Sequence, residues 1–138
     1  METNYFEEIR KGKKKSTAYL EHIVKGEKSN RYLNYDLQNN FQTVYFELAR
    51  LELFARGIET GPVHRRYIRQ SLDRVNERLD CGDFIIPAFL TILYRYRDSA
   101  LLTEDLIKEL EEAVLNFKYW IDEPGVDVHL PCYFTENH

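Results

Sequence analysis

Cysteine, glycine and proline are all scarce in this chain, and each scarcity narrows what it can be. The two cysteines, Cys81 and Cys132, are far apart and form no C-x-x-C pair. That pattern fits the reduced thiols of a cytoplasmic protein better than a disulfide framework, and leaves a single bridge open. Six glycines and four prolines in 138 residues exclude collagen-like and Pro/Gly-rich low-complexity architectures. No run of about 18 apolar residues occurs, so no membrane partner is expected; the mean hydropathy of -0.53 agrees. Basic excess is lacking too, since the formal charge is -4 and the pI near 5.6. A nucleic-acid binder normally carries the opposite sign, because it must neutralise phosphates, so no nucleic-acid partner is expected. Met1 is followed by Glu2, Thr3 and Asn4 rather than a basic and then apolar stretch, so no secretory signal is read and a cytoplasmic location is expected.

What is abundant is apolar surface with helical spacing. The 43% hydrophobic and 14% aromatic content is enough for one domain with a genuine core. Over residues 36 to 56, Phe41, Val44, Tyr45, Leu48, Leu51 and Ala55 recur at intervals of three and four, while Phe46, Ala49 and Leu53 form a second stripe. This predicts a helix buried on two sides and ended by Gly57 and the Thr60-Gly61-Pro62 turn. Over residues 63 to 79, Ile68, Leu72, Val75 and Leu79 make one stripe among arginines and acids, which predicts an outer helix. Residues 84 to 97 are apolar almost all round, and this helix is expected to be the most buried, with Asp83 as its cap and Pro87 in its first turn. Thr103 is expected to cap a helix over residues 104 to 119, with Glu104 and Asp105 suiting its dipole and Ile107, Leu110, Val114 and Phe117 facing the core. Nearer the start, residues 4 to 11 and 16 to 25 read as two shorter helices punctuated by Gly12 and Gly26, so residues 1 to 35 are the least regular part. The cluster Arg10, Lys11, Lys13, Lys14 and Lys15 reads as a solvated helix end.

The expected fold is therefore all-α: one helical segment of antiparallel hairpins over residues 1 to 138, with inner and outer helices alternating. An up-down bundle gives each helix one apolar stripe, whereas double-layered toroids and solenoids bury their inner helices on several sides. At about 40 residues per hairpin, a ring of six needs on the order of 240 residues. Either the chain is an incomplete α/α-toroid domain, or its inner helices pack against another copy, so self-association is expected.

Residues 118 to 138 change character, forming an aromatic-lined loop that opens on a Glu123-Pro124-Gly125-Val126 turn and holds the only Trp and two of the four His residues. Aromatic faces at Tyr119, Trp120 and Tyr133 beside Asp122, Glu123, Glu136 and the Asn137-His138 pair suit a sugar, whose C–H faces stack on rings while its hydroxyls take directional hydrogen bonds. The segments Cys81-Gly82-Asp83-Phe84, Leu93-Tyr94-Arg95-Tyr96, residues 117 to 125 and Cys132-Tyr133-Phe134-Thr135-Glu136-Asn137-His138 resemble a family of large, poorly characterised bacterial and fungal proteins. In that family a WIDEPG-like motif accompanies a cysteine, two aromatics, Ser or Thr, then Glu-Asn-His. Phe134 and Thr135 stand where Trp and Ser are more usual. The resemblance implies an α/α toroid like those of polysaccharide lyases and several glycoside hydrolases.

Two chemistries follow from that analogy and stay open at this point. In a lyase, Asn137 would bind a uronate carboxylate, His138 would take the neighbouring proton, and Tyr133 or Tyr119 would be the acid. In a hydrolase, Glu136 would pair with Asp122 or Glu123. Trp120, Tyr119, Asp122 and Glu123 would line the substrate site, a polysaccharide would be the partner, and no cofactor is called for. His129, Cys132 and His138 match no closed zinc site, so no metal is expected. Against the enzyme stands a plainer alternative, a non-catalytic helical module that binds a protein partner through its apolar helices.

Overall fold

The structure, a computed structural model, describes residues 5 to 27, 43 to 78 and 82 to 117. Among these residues five α-helices run α1 Tyr5–Glu27, α2 Thr43–Ala55, α3 Arg65–Asn76, α4 Ile86–Arg95 and α5 Glu104–Leu115, with a 3-10 turn at Gly82–Ile85 leading into α4. Among the described residues there is no strand. Val44 and Leu51 of α2, Ile68, Leu72 and Val75 of α3, Phe89 and Ile92 of α4, and Leu106 and Leu110 of α5 form one buried core. Fully burying each such side chain contributes roughly 1.5 to 3 kcal/mol, which is what turns four short helices into one packed unit.

The ends of the helices are set by local chemistry. At the end of α2 the Ile58 N–H donates to the Leu53 carbonyl and the Gly57 N–H to the Phe54 carbonyl, and Gly57 has a φ of 80°. This is the reciprocal closure that a left-handed glycine makes possible. Pro87 sits in the first turn of α4, where its missing N–H removes no helical bond. Thr103 holds the N-cap position of α5 with extended backbone, φ -108° and ψ 152°, but makes no side-chain bond to a helix N–H.

Direction distinguishes the packing within hairpins from that between them. Thr43 of α2 reaches Ser71 and the Tyr67 carbonyl of α3, while Glu47, one turn later, meets the backbone of His64 before α3 begins. The two helices are therefore antiparallel. Across hairpins the order is reversed: Tyr45 pairs with Phe84 and Glu52 with Tyr96, and Arg65 pairs with Asp105 and Arg69 with Glu109. So α2 runs parallel to α4 and α3 parallel to α5. An up-down bundle would make every neighbour antiparallel; here two hairpins stack side by side, in layers α2/α4 and α3/α5. α1 packs on α2.

The side-chain cap expected of Thr103 is not made, and four further expectations are corrected. The N-terminal region forms one helix, α1, that passes through Gly12 and Gly26 without a break; no side chain packs around Gly12, so glycine there weakens the helix without ending it. Asp83 lies inside the 3-10 turn, and the N-cap position of α4 is Ile85, with no side-chain cap. α4 is not the most buried helix: Tyr94 is 86% exposed, and Phe84 just before it is 48% exposed, whereas seven residues of α2 are buried. Finally, Arg74 of the outer helix α3 is buried. The parts of the expected helices over residues 36 to 42, 79 and 118 to 119 lie outside the described residues.

Candidate functional site

Among the described residues, three helices, α1, α2 and α4, together line a groove of about 370 Å³. Helical spacing makes it: Leu20 and Ile23 of α1 face Leu48 and Ala49 of α2, and Thr91 and Arg95, one turn apart, bring the edge of α4 alongside. One end carries the polar groups Ser16, Glu52, Arg56, Arg95 and Tyr96. Tyr19 and Tyr45 also line the groove, and the Tyr45 hydroxyl donates to the Phe84 carbonyl at 2.7 Å. Burial pushes the Tyr45 phenol above its ordinary value, so it stays a neutral donor.

Glu52 is the hub of the polar end. Its Oε1 accepts from Arg56 Nε at 2.8 Å, and its Oε2 accepts from Arg95 Nη2 at 3.2 Å and from the Tyr96 hydroxyl. Arg56 continues the chain into α1, donating through Nη1 to Ser16 Oγ at 2.8 Å and Thr17 Oγ1 at 2.9 Å. One carboxylate and one guanidinium thus tie three helices. Burial acts to raise the Glu52 pKa, but the hydrogen bonds from Tyr96 and Arg56 and the charges of Arg95 and Arg56 outweigh it, and the net shift is downward. The Tyr96 phenol is pushed up to about 12 by burial and by its bond to, and the charge of, Glu52. Tyr96 also lies under the Arg95 guanidinium, 5.4 Å from ring centroid to carbon.

Two further polar sets have structural roles. Buried Glu47 accepts from the His64 backbone N–H at 2.8 Å and lies 3.4 Å from Arg50 Nε, while Arg50 donates to the Thr60 carbonyl. Together they hold the α2–α3 loop onto α2. On the outer layer, Arg65–Asp105 and Arg69–Glu109 line the seam between α3 and α5. Asp105 is held down at about 2, first by the Thr103 hydroxyl that donates to it and then by Arg65.

The residues singled out from sequence as catalytic, Tyr133, Glu136, Asn137 and His138, and as substrate-binding, Tyr119, Trp120, Asp122 and Glu123, all lie outside the described residues. His22 and His64 are exposed, as is the basic cluster from Arg10 to Lys15. Among the described residues no group of three His, Cys, Asp or Glu side chains is placed to hold a metal, and no helix is long and apolar enough to cross a membrane. Sequence reasoning missed the Glu52 hub. Glu52 and Arg56 at i and i+4 on a helix were a visible signal, but Tyr96 and Arg95 arrive from another helix.

No family model matches the chain, and neither a curated protein nor a solved structure matches it.

Proposed function

We propose that the two hairpins are successive units of an α/α array, of the toroid or solenoid kind, and that the chain is a helical interaction module that associates with a second copy of itself. The observation that carries this reading is the register: same-layer helices run parallel, and their pairings, such as Tyr45 to Phe84 and Arg65 to Asp105, span 39 and 40 positions. A further hairpin in that register would lie along α4 and α5. There Pro87, Leu90 and Tyr94 form a stripe along α4, with Tyr94 exposed, and Leu115 of α5 is exposed as well. Light scattering should give a mass above the monomer at high micromolar concentration, and Tyr94→Glu with Leu115→Glu should return it to the monomer. A monomeric wild type at that concentration would overturn the reading.

Carbohydrate chemistry is the second reading, and it is supported by the sequence of residues 119 to 138, where Asn137 and His138 follow an aromatic and acidic stretch. The Glu52 hub does not serve it, because a carboxylate ionised and held by three donors is a poor proton carrier at neutral pH. Incubation with acidic and neutral polysaccharides distinguishes the chemistries: an unsaturated uronate absorbance marks elimination by Asn137 and His138, whereas reducing ends without it mark hydrolysis by Glu136 with Asp122 or Glu123. Activity should fall about 100 to 10,000-fold in His138→Ala if His138 is the base. As an incomplete toroid the segment alone is expected to be inactive, so the assay is made on a longer protein that carries it, and absence of cleavage there would remove the enzyme reading.

A further inference from the structure

We propose that the groove between α1, α2 and α4 is a binding site for a small amphiphilic anion, a carboxylate on a flat or short aliphatic body. The volume of about 370 Å³ is that of a small-ligand site. Its apolar stretch is made by the half-buried Leu20, Ile23 and Leu48, which offer hydrocarbon to a ligand without any polar group that must be satisfied. The sign of the ligand follows from the charge count at the polar end. Two guanidinium groups, Arg56 and Arg95, stand there against one carboxylate, Glu52.

The two arginines are not equivalent. Arg56 is the more committed of the two, because its Nε serves Glu52 and its Nη1 serves Ser16 and Thr17, and its side chain is only 19% exposed. Arg95 places one N–H on Glu52, at 3.2 Å, and its side chain is 63% exposed at the mouth of the groove. A guanidinium carries five N–H donors in a planar fork that matches a carboxylate with two parallel bonds. Tyr96, stacked against Arg95, limits the swing of the fork, so less rotamer freedom is lost when an anion docks. Glu52 does not repel such a ligand strongly, since its charge is already compensated by Arg56 and by the Tyr96 hydroxyl. The anion would lie with its carboxylate on Arg95 and its body along Leu48 and Leu20.

The test uses 1-naphthoate as the probe, followed by two-dimensional amide NMR on the full chain. Saturable shifts are expected at Leu20, Leu48, Thr91 and Arg95. Arg95→Gln keeps the stem and removes the charge, and should weaken binding about tenfold or more, the usual loss for a charge-assisted hydrogen bond. Neutral 1-naphthamide should bind wild type more weakly than naphthoate by a similar factor and should bind Arg95→Gln no more weakly still. Arg97→Gln, which alters an exposed arginine paired with Glu111 on another surface, should leave the affinity unchanged. Should Arg95→Gln disturb the fold, Leu48→Phe, which fills the groove and leaves the arginine in place, gives the same answer by abolishing the shifts. No saturable binding up to millimolar naphthoate, shifts confined to other surfaces, or equal affinity in wild type and Arg95→Gln would overturn the proposal.

Discussion

The Tyr96 hydroxyl donates to the Glu52 carboxylate across 44 positions of sequence, and this bond fixes the spacing of the two hairpins in the α2/α4 layer. Tyr96 is 6% exposed as a residue, and Glu52 is the acceptor its hydroxyl has found.

The pair makes stability depend on pH at both ends of the scale. The Glu52 pKa is depressed on folding, so its contribution is complete above the ordinary value of 4.5 and is lost as the pH falls through the folded value. The Tyr96 pKa is raised from 10.0 to about 12, so its contribution is complete below 10 and declines as the pH rises toward 12. Urea midpoints measured from pH 3 to 11 should fall at both ends. Tyr96→Phe should flatten the alkaline fall and cost about 1.5 to 3 kcal/mol at neutral pH, the usual loss for a hydrogen bond to a charged group. An unchanged alkaline limb in Tyr96→Phe would show that other phenols govern it.

Phe89 and Tyr94 lie five residues apart on α4 with opposite surroundings, since Phe89 is 0% exposed and Tyr94 faces water. Phe89→Ala should cost about 3 to 5 kcal/mol through lost burial and the cavity left behind. Tyr94→Ala should change the stability of the monomer by less than about 0.5 kcal/mol. Chemical denaturation at low protein concentration, which keeps any self-association out of the comparison, decides it; similar losses at the two positions would contradict the packing of α4.

At Gly57 the φ of 80° is left-handed, and a Cβ added there would meet no atom within 4 Å. Gly57→Ala therefore probes backbone conformation with no steric clash, and should cost about 1 to 2 kcal/mol. A stabilised Gly57→Ala protein would mean that α2 ends in some other way.

Thr103 acts on α5 through its backbone, whose carbonyl accepts from the Ile107 N–H at 3.0 Å, and through its side chain. Its hydroxyl donates to Asp105, and that bond is the largest of the influences holding Asp105 at about 2. In a side-chain NMR titration, Thr103→Ala should move the Asp105 midpoint toward its ordinary value of 3.8, while Thr103→Ser should leave it low. A midpoint indifferent to both changes would shift the credit to Arg65.

Much of the layering was legible in the residues themselves. Ile68, Leu72 and Val75 sit at core spacing and are buried, and the glycine after α2 closes it as expected. The parts that were not legible share a cause: periodicity counts apolar residues and is blind to polar ones that find partners. Thr43, Glu47, Arg50, Ser71 and Arg74 are all buried, and Thr43 with Ser71 and Glu47 with the His64 N–H show how that burial is tolerated. Apolar content also overstates burial where a helix lies at the edge of a stack, as at Tyr94. The candidate carbohydrate residues, Tyr119 to His138, fall outside the described residues, so that reading stands on sequence and resemblance alone.

The side-by-side stacking of the hairpins bears on how the chain reaches its fold. The bonds that join one hairpin to the next, Tyr45 to Phe84, Arg65 to Asp105 and Tyr96 to Glu52, span 39, 40 and 44 positions, and those that join α1 to Arg56 span a similar stretch. No described tie requires the ends of the chain to find each other. Loop-closure entropy stays modest at each step, and helical domains built from such near-neighbour pairings fold on the order of microseconds to milliseconds. Each hairpin, once formed, is a template on which the next can zip, so the chain can acquire its structure sequentially as it leaves the ribosome.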